Sequence, residues 1–389
     1  MLDNLLRDVR IGVRVLVKER AFCTLAILVL ALGICGVTAM FAVVNGVIIR
    51  GFSFPNAHRL VHVNFIDPTT GSGQYASSRM GSKDFVELAA AQRSFAMIAA
   101  YSGGATVNMT ADGEPRRYEG SFVTPDLFRI LGIEPARGRD FRAADDVPGA
   151  EKVALISYGL WQRDFGGAED IIGRVVRMNG APATIVGVMP KGFAFPYRED
   201  VWMPLHGQYP VLERNDPRDR MPMVLALLEP GVTLDAANAE LTSLARRFAA
   251  AYPATNGRFT AGLVLPLIRI YTPEGLRGTM FTMLGFCVGV LLIACVNVMN
   301  MQFARATLRA KELAVRSSLG ATRTRLVRQM LTESAIVAAA GAALGIPLAY
   351  EATDWLWATV HSMQYGPPTW MTFDINGRVL ALTVGATAA

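Results

Sequence analysis

Uncharged apolar residues gather in long blocks along this chain, and the blocks lie far apart. One runs from Ala21 to Ile49 and another from Gly278 to Ala304, with a long stretch of mixed polarity between them. Each exceeds the roughly 20 apolar residues that an α-helix needs to cross a hydrocarbon core of about 30 Å, so both are predicted to span a membrane. Spans at 21–49 and 278–304 would hold residues 50–277 as one large domain on one side. A third span is predicted over 334–350, between Glu333 and Glu351, followed by a loop over 351–378 on the domain's side. A fourth apolar run starts at Val379 and reaches Ala389. About eleven residues are too few to cross, so a truncated fourth span is expected over 379–389.

Within 50–277 the pattern changes to short strands and capped helices. Leu60 to Phe65, Tyr101 to Met109, Arg117 to Val123 and Val153 to Ile156 read as strands; Ser82 to Gln92, Pro125 to Leu131 and Tyr158 to Phe165 read as helices, with Ser82 and Thr124 as the N-caps of the first two. Arg174 to Met178 and Ala183 to Val188 flank Asn179-Gly180, a strong hairpin signal. Thr233 caps a helix reaching about Ala251, with Leu234, Ala237, Leu241, Leu244, Ala245 and Phe248 on one face. The predicted fold class is a membrane α-helical protein, three spans plus a truncated fourth, carrying a large inserted α+β domain. That domain is long enough to divide into two lobes.

Charge sets the topology. Arg7, Arg10, Arg14, Lys18 and Arg20 precede the first span against Asp3, Asp8 and Glu19; Arg305, Arg309, Lys311, Arg316, Arg323, Arg325 and Arg328 follow the second against Glu312 and Glu333. Segments 1–20 and 305–333 are therefore expected in the cytoplasm and the domain outside it. The formal net charge of +6 is then a topology signal, and no nucleic-acid partner is expected. Leu2, Leu5, Leu6, Val9, Val13, Leu16 and Val17 recur at helical spacing, which describes an amphipathic helix on the inner membrane surface or one packed on protein. The first apolar block outruns the roughly 7 to 15 residues of a signal-peptide core, so it is read as retained. Cys23, Cys35, Cys287 and Cys295 all lie in the first two spans, leaving the domain to fold without disulfides.

The search for chemistry returns mostly exclusions. The sequence has no G-x-x-x-x-G-K-[ST] phosphate loop, no G-x-S-x-G elbow and no H-E-x-x-H pair. His58 and His62 are four apart, but in a strand that places them about 13 Å apart, too far to share a metal. Asn108-Met109-Thr110 matches a glycosylation acceptor by pattern alone. No catalytic residue, metal site or cofactor is expected. Inside the spans, Gly285 with Gly289 and Gly341 with Gly345 form small-x-x-x-small pairs suited to close helix packing, and the Asn297 and Asn300 amides call for a partner on another helix. No Asp, Glu, Lys or His lies within 21–49, 278–304 or 334–350, which argues against an ion-coupled pathway. Between the second and third spans, Ala306 to Leu319 and Thr322 to Thr332 have helical spacing broken at Gly320: a basic, broken helix suited to an acidic partner or to anionic lipid.

The run Ala294-Cys295-Val296-Asn297-Val298-Met299-Asn300 and the following ARATLRAKELAVRSSLGATRTRLVRQMLTES resemble the second-span and coupling-helix signature of MacB/FtsX-type ABC transporter permeases. The opening RDVRIGVRVLVKERAFCTLAILVLALGICGVTAMFAVVNGVIIRGFSFPNAHRLV and the stretch IVGVMPKGFAFPYREDVWMPL resemble the duplicated orphan permeases called ADOP, of which this would be the first half. The resemblance implies an inner-membrane permease without its own ATPase, with a MacB-type extracytoplasmic core domain that a separate cytoplasmic ATPase moves. It implies Lys311, Glu312, Arg316, Gly320, Arg323 and Arg325 at the ATPase contact. Its implied partners are that ATPase, a second permease half or copy, membrane lipids and an outer-membrane channel or envelope protein. Export of a hydrophobic compound, peptide or lipoprotein, an FtsX-like regulator that moves no substrate, and a nonfunctional fragment all remain open at this point.

Overall fold

The computed structural model describes residues 20–52, 54–70, 78–110, 113–216, 218–219, 222–308, 323–363 and 367–388. They form two compact units: a helical unit containing Gly51 and the chain before it, 274–366 and 371–389, and a domain of Phe52–Pro273 with Pro367–Trp370. Three described helices are long and apolar enough to cross a membrane. The first span is an α-helix over Arg20–Val44 that widens into a π-turn at Asn45–Arg50; the second is Glu274–Leu308 and the third Arg323–Ser362, with a fourth helix at Gly377–Ala388. The third helix runs past both Glu333 and Glu351, the charges expected to bound it, because backbone hydrogen bonding continues where the hydrocarbon ends. The expected amphipathic helix before Arg20 lies outside the described residues.

In the domain the described strands are β1 (Leu60–Ile66), β2 (Ser78–Arg79), β3 (Phe95–Thr110), β4 (Pro115–Val123), β5 (Arg137–Gly138), β6 (Val153–Ile156), β7 (Val175–Met178), β8 (Ala181–Val188), β9 (Val201–Pro204), β10 (Met223–Leu228) and β11 (Ala261–Pro266). They join one sheet in the order β11-β1-β10-β3-β4-β9-β6-β8-β5, with β2 on β1 and β7 bridging β3 and β8. Among the described strands the hydrogen bonding runs unbroken from β11 to β5, and the domain forms one compact unit rather than the two lobes its length allows. Only β4–β9 and β6–β8 among the described pairs are parallel. The Asn179-Gly180 turn has positive φ at both residues, 49° and 81°, the mirror-image turn whose twist suits a two-residue hairpin. Asn108, the glycosylation-pattern residue, sits in β3 and exchanges bonds with Asn179.

Strand edges and helix starts are closed by side chains. The helix Leu234–Ala251 begins at Thr233, whose Oγ1 accepts from Ala236 N, and it covers β11: Thr242 Oγ1 and Asn238 Oδ1 accept from the Gly262 and Val264 amides at 3.0 and 3.1 Å. Those side chains occupy donors that would otherwise invite another strand. Two expected caps differ. The helix Ser82–Ala91 starts after Gly81, and the Asp219 carboxylate accepts from Ser82 N while Ser82 Oγ turns to Leu212 N. The short helix Leu127–Leu131 has Asp126 as its N-cap, because Thr124 Oγ1 is used by the Ala100 amide of β3. In both places a tertiary acceptor or donor displaced the local one.

His58 is exposed on the turn Ala57–Arg59, whereas His62 lies 2% exposed in β1 between Leu225 of β10 and Leu265 of β11. Burial pushes the His62 imidazole down to about 4. Folded His62 thus holds its proton more weakly than unfolded His62, and its contribution to stability is complete above about pH 6.5 and lost as pH falls toward 4. A His62→Leu variant escapes that loss. Urea unfolding should show the variant gaining about 3 kcal/mol on the parent between pH 7 and pH 4; a stability difference independent of pH would show that His62 titrates normally.

Candidate functional site

The helical unit is organised around the first span. Gly33 and Gly36 face the second span, where a Cβ would meet Leu291 Cδ1 at 3.0 Å and Cys287 Sγ at 3.9 Å. Gly341 and Gly345 of the third span face the first from the other side: a Cβ at Gly341 would lie 3.0 Å from Leu30 Cβ, and one at Gly345 would lie 2.7 Å from Ala31 O. Hydrocarbon provides no hydrophobic drive between helices, so contacts this close supply the cohesion. Ala26, Leu30, Ile34, Val37, Leu291, Ala294, Val298 and Val337 fill the seam. Toward the far end Thr38 and Thr383, both buried, share a 2.9 Å hydroxyl bond that joins the first span to the fourth helix.

Gly285 and Gly289 differ from expectation. A Cβ at either would meet nothing within 4 Å, because the second span turns Cys287, Leu291, Ala294 and Val298 toward the first and these glycines to the opposite side. Asn297 and Asn300 are exposed on the same helix. Among the described residues, nothing packs closely on the first glycine pair. Of the residues implied for ATPase contact, Lys311, Glu312, Arg316 and Gly320 lie outside the described residues, while Arg323 and Arg325 open the third-span helix. The seam residues Gly33, Thr38 and Thr383 were missed; a hydroxyl at Thr38 within an apolar block was the available signal.

In the domain, the two chain ends meet. Phe52 and Tyr271 stack edge to face at 5.5 Å, and Phe195 lies 5.4 Å from Tyr101, whose hydroxyl is 3.4 Å from that of Tyr271. Beside them Glu199, 1% exposed, accepts from Tyr197 N at 2.6 Å and from Gly104 N at 3.3 Å. Burial raises its carboxyl to about 7. The Gly103-Gly104 bulge of β3 makes that approach: a Cβ at Gly103 would lie 2.5 Å from Pro196 Cγ, and Gly104 has a φ of 69°. Elsewhere a cleft of about 1080 Å³ is lined by Arg129, Arg139, Asp140 and Arg142; Arg129 pairs with Asp126 and Arg139 with Asp145, and burial lifts Asp140 to about 6. No group of His, Cys, Asp and Glu side chains that could hold a metal occurs among the described residues.

The glycine geometry separates two substitutions of equal size. Gly345→Leu forces a side chain onto the backbone of the first span and should cost about 1–3 kcal/mol or more, read as a lower unfolding midpoint of the purified chain in detergent. Gly285→Leu enters open space and should leave that midpoint unchanged; equal destabilisation by both would refute the packing around the first span.

The description MacB-like periplasmic core domain matches residues 24–244, more than half of the chain, and FtsX-like permease C-terminal matches residues 284–389. Among similar proteins, the macrolide export ATP-binding/permease protein MacB of Shewanella sp. (strain ANA-3) is 27% identical over 78% of this chain and 41% of its own length. MacB of Escherichia coli is 26% identical over 62% and 37%, and the ABC transporter permease YknZ of Bacillus subtilis 25% identical over 59% and 55%. The chain thus spans about two fifths of the MacB relatives and about half of YknZ. The crystal structure of the periplasmic region of MacB from Actinobacillus actinomycetemcomitans aligns over 57% of this chain and 91% of that one, with 15% identity and a TM-score of 0.41. With its core domain between the first two of its spans, the chain belongs to the MacB/FtsX-type family of ABC transporter permeases, inner-membrane proteins whose core domain lies on the extracytoplasmic side.

Proposed function

We propose that this chain is the permease part of a mechanotransmission system, in which a separate cytoplasmic ATPase drives movement of the extracytoplasmic domain for export of a hydrophobic compound, peptide or lipoprotein. One observation carries the reading: the domain is tied to its spans without slack. The first span ends at Arg50, Gly51 is the single link, and Phe52 is already in the aromatic junction; at the other end Tyr271 is in that junction and the second span starts at Glu274. A movement of the helix ends has no flexible linker in which to dissipate. The MacB relatives carry ATP binding and macrolide export in their names, and the lack of a phosphate loop here leaves ATP to another polypeptide or segment.

The outward side of the second span suits the second permease half or copy. It presents Gly285, Gly289 and the amides of Asn297 and Asn300, a combination that lipid serves poorly and another helix serves well. Arg316 and Arg323, with Lys311, Glu312, Gly320 and Arg325, would set how the ATPase docks.

Purified alone, the chain should hydrolyse no ATP. Joint reversal, Arg316→Glu with Arg323→Glu, should lower recovery of the purified cognate ATPase on immobilised permease about tenfold or more, the loss expected for opposed charges at a contact. Recovery equal to the parent would place the contact elsewhere.

A further inference from the structure

Three distant pieces of the chain converge on Phe52. The first is Phe52 itself, two residues beyond the first span; the second is Tyr271, three residues before the second. The third is Trp370, from the loop between the third span and the fourth helix. Its ring centroid lies 4.2 Å from that of Phe52 and 5.4 Å from that of Tyr271. Two further bonds fix the same segment: Arg198 Nε donates to Pro367 O at 3.2 Å, and Thr369 N donates to Tyr197 O at 3.2 Å. Residues 367–370 accordingly belong to the domain, although the helices on both sides of them in sequence belong to the other unit.

Residues 372–375 of that loop are held by the helices. Thr372 O lies where a Cβ at Gly46 would be, so only glycine admits it; Arg50 Nη1 is 3.1 Å from Asp374 Oδ2, and Tyr350 OH donates to Ile375 O at 3.2 Å. One short loop is therefore gripped at 367–370 by the domain and at 372–375 by the first and third spans.

We infer that residues 367–370 form a latch: Trp370, seated against Phe52 and Tyr271 and steadied by Tyr197 and Arg198, is a third mechanical connection that carries helix movement into the domain. This rests on the transmitter reading above and adds to it a route besides Gly51 and Pro273. It also gives the Pro196-Tyr197-Arg198 stretch a use as the receptor for the loop. Ring packing holds the seat. Against it, Trp370 Nε1 and Thr369 Oγ1 are buried without a hydrogen-bond partner among the described residues, which weakens the seated arrangement relative to one where both reach water. A seat favoured by packing and opposed by unpaired donors can be left and regained, as a transmitter with two arrangements requires.

Amide hydrogen exchange in the full-length protein, reconstituted with its ATPase, tests the latch in two arms. Without nucleotide, Trp370→Ala should speed exchange of the amides of residues 193–199 about tenfold, the change expected when one aromatic anchor is removed from a local opening equilibrium, while Trp370→Phe should change them little. Exchange in Trp370→Ala equal to the parent would mean that the loop is not seated there. With ATP trapped, the parent should show altered exchange over 193–199, and Trp370→Ala should lose that alteration while ATP turnover continues. A response of undiminished size in Trp370→Ala would overturn the latch as a connection. No ATP response anywhere in the parent domain would instead overturn the transmitter reading, and the nucleotide-free arm would still decide whether the loop is docked.

Discussion

The edge-to-face contact between Phe52 and Tyr271 is the constraint from which the rest follows. It closes the domain at the two points where the chain enters and leaves, so the sheet between them is carried by a short, aromatic neck. Phe195 and Tyr101 extend the neck into the sheet through the 3.4 Å hydroxyl contact with Tyr271. Such ring pairs contribute about 0.5–1.5 kcal/mol each beyond the area they bury. Their greater consequence here is geometric, since they bring together the residues at which the chain enters and leaves the domain, with a single residue between Arg50 and Phe52.

The helices meet a different requirement by a different device. In hydrocarbon, cohesion comes from close approach and from the few polar groups that find each other. Gly33 and Gly36 on one side of the first span, and Gly341 and Gly345 opposite, bring backbones together, while Thr38 and Thr383 supply the buried hydrogen bond. Gly285 and Gly289 on the second span face away from all of this, and among the described residues nothing packs on them. Gly46 belongs to the same logic at the membrane's edge, since its missing side chain admits the Thr372 carbonyl.

The spans were legible because length and the absence of charge are properties of the sequence alone, and the hairpin at Asn179-Gly180 because its turn needs positive φ at both positions. The Thr233 cap was legible for the same local reason. The Ser82 and Thr124 caps were not, since Asp219 and the Ala100 amide, each distant in sequence, decide them. Strands β9, β10 and β11 were passed over as well; β9 and β10 are buried on nearly every residue, so they show no alternation to read. The glycine pairs expose the same limit: a small-x-x-x-small spacing predicts a helix that can be approached closely, but only the structure tells that Gly345 is approached and Gly285 is not. The aromatic neck joins residues more than two hundred positions apart, which no local pattern reports.

The central claim, that ATP bound in the cytoplasm moves the extracytoplasmic domain through a neck without slack, is tested most directly by a distance. In the full-length complex with its ATPase, spin labels at Asn179 on paired core domains should change separation when ATP is trapped. Inserting four Gly/Ser residues after Gly51 should diminish that change while ATP binding persists. A separation indifferent to ATP in the parent, or a change that survives the insertion undiminished, would contradict the account.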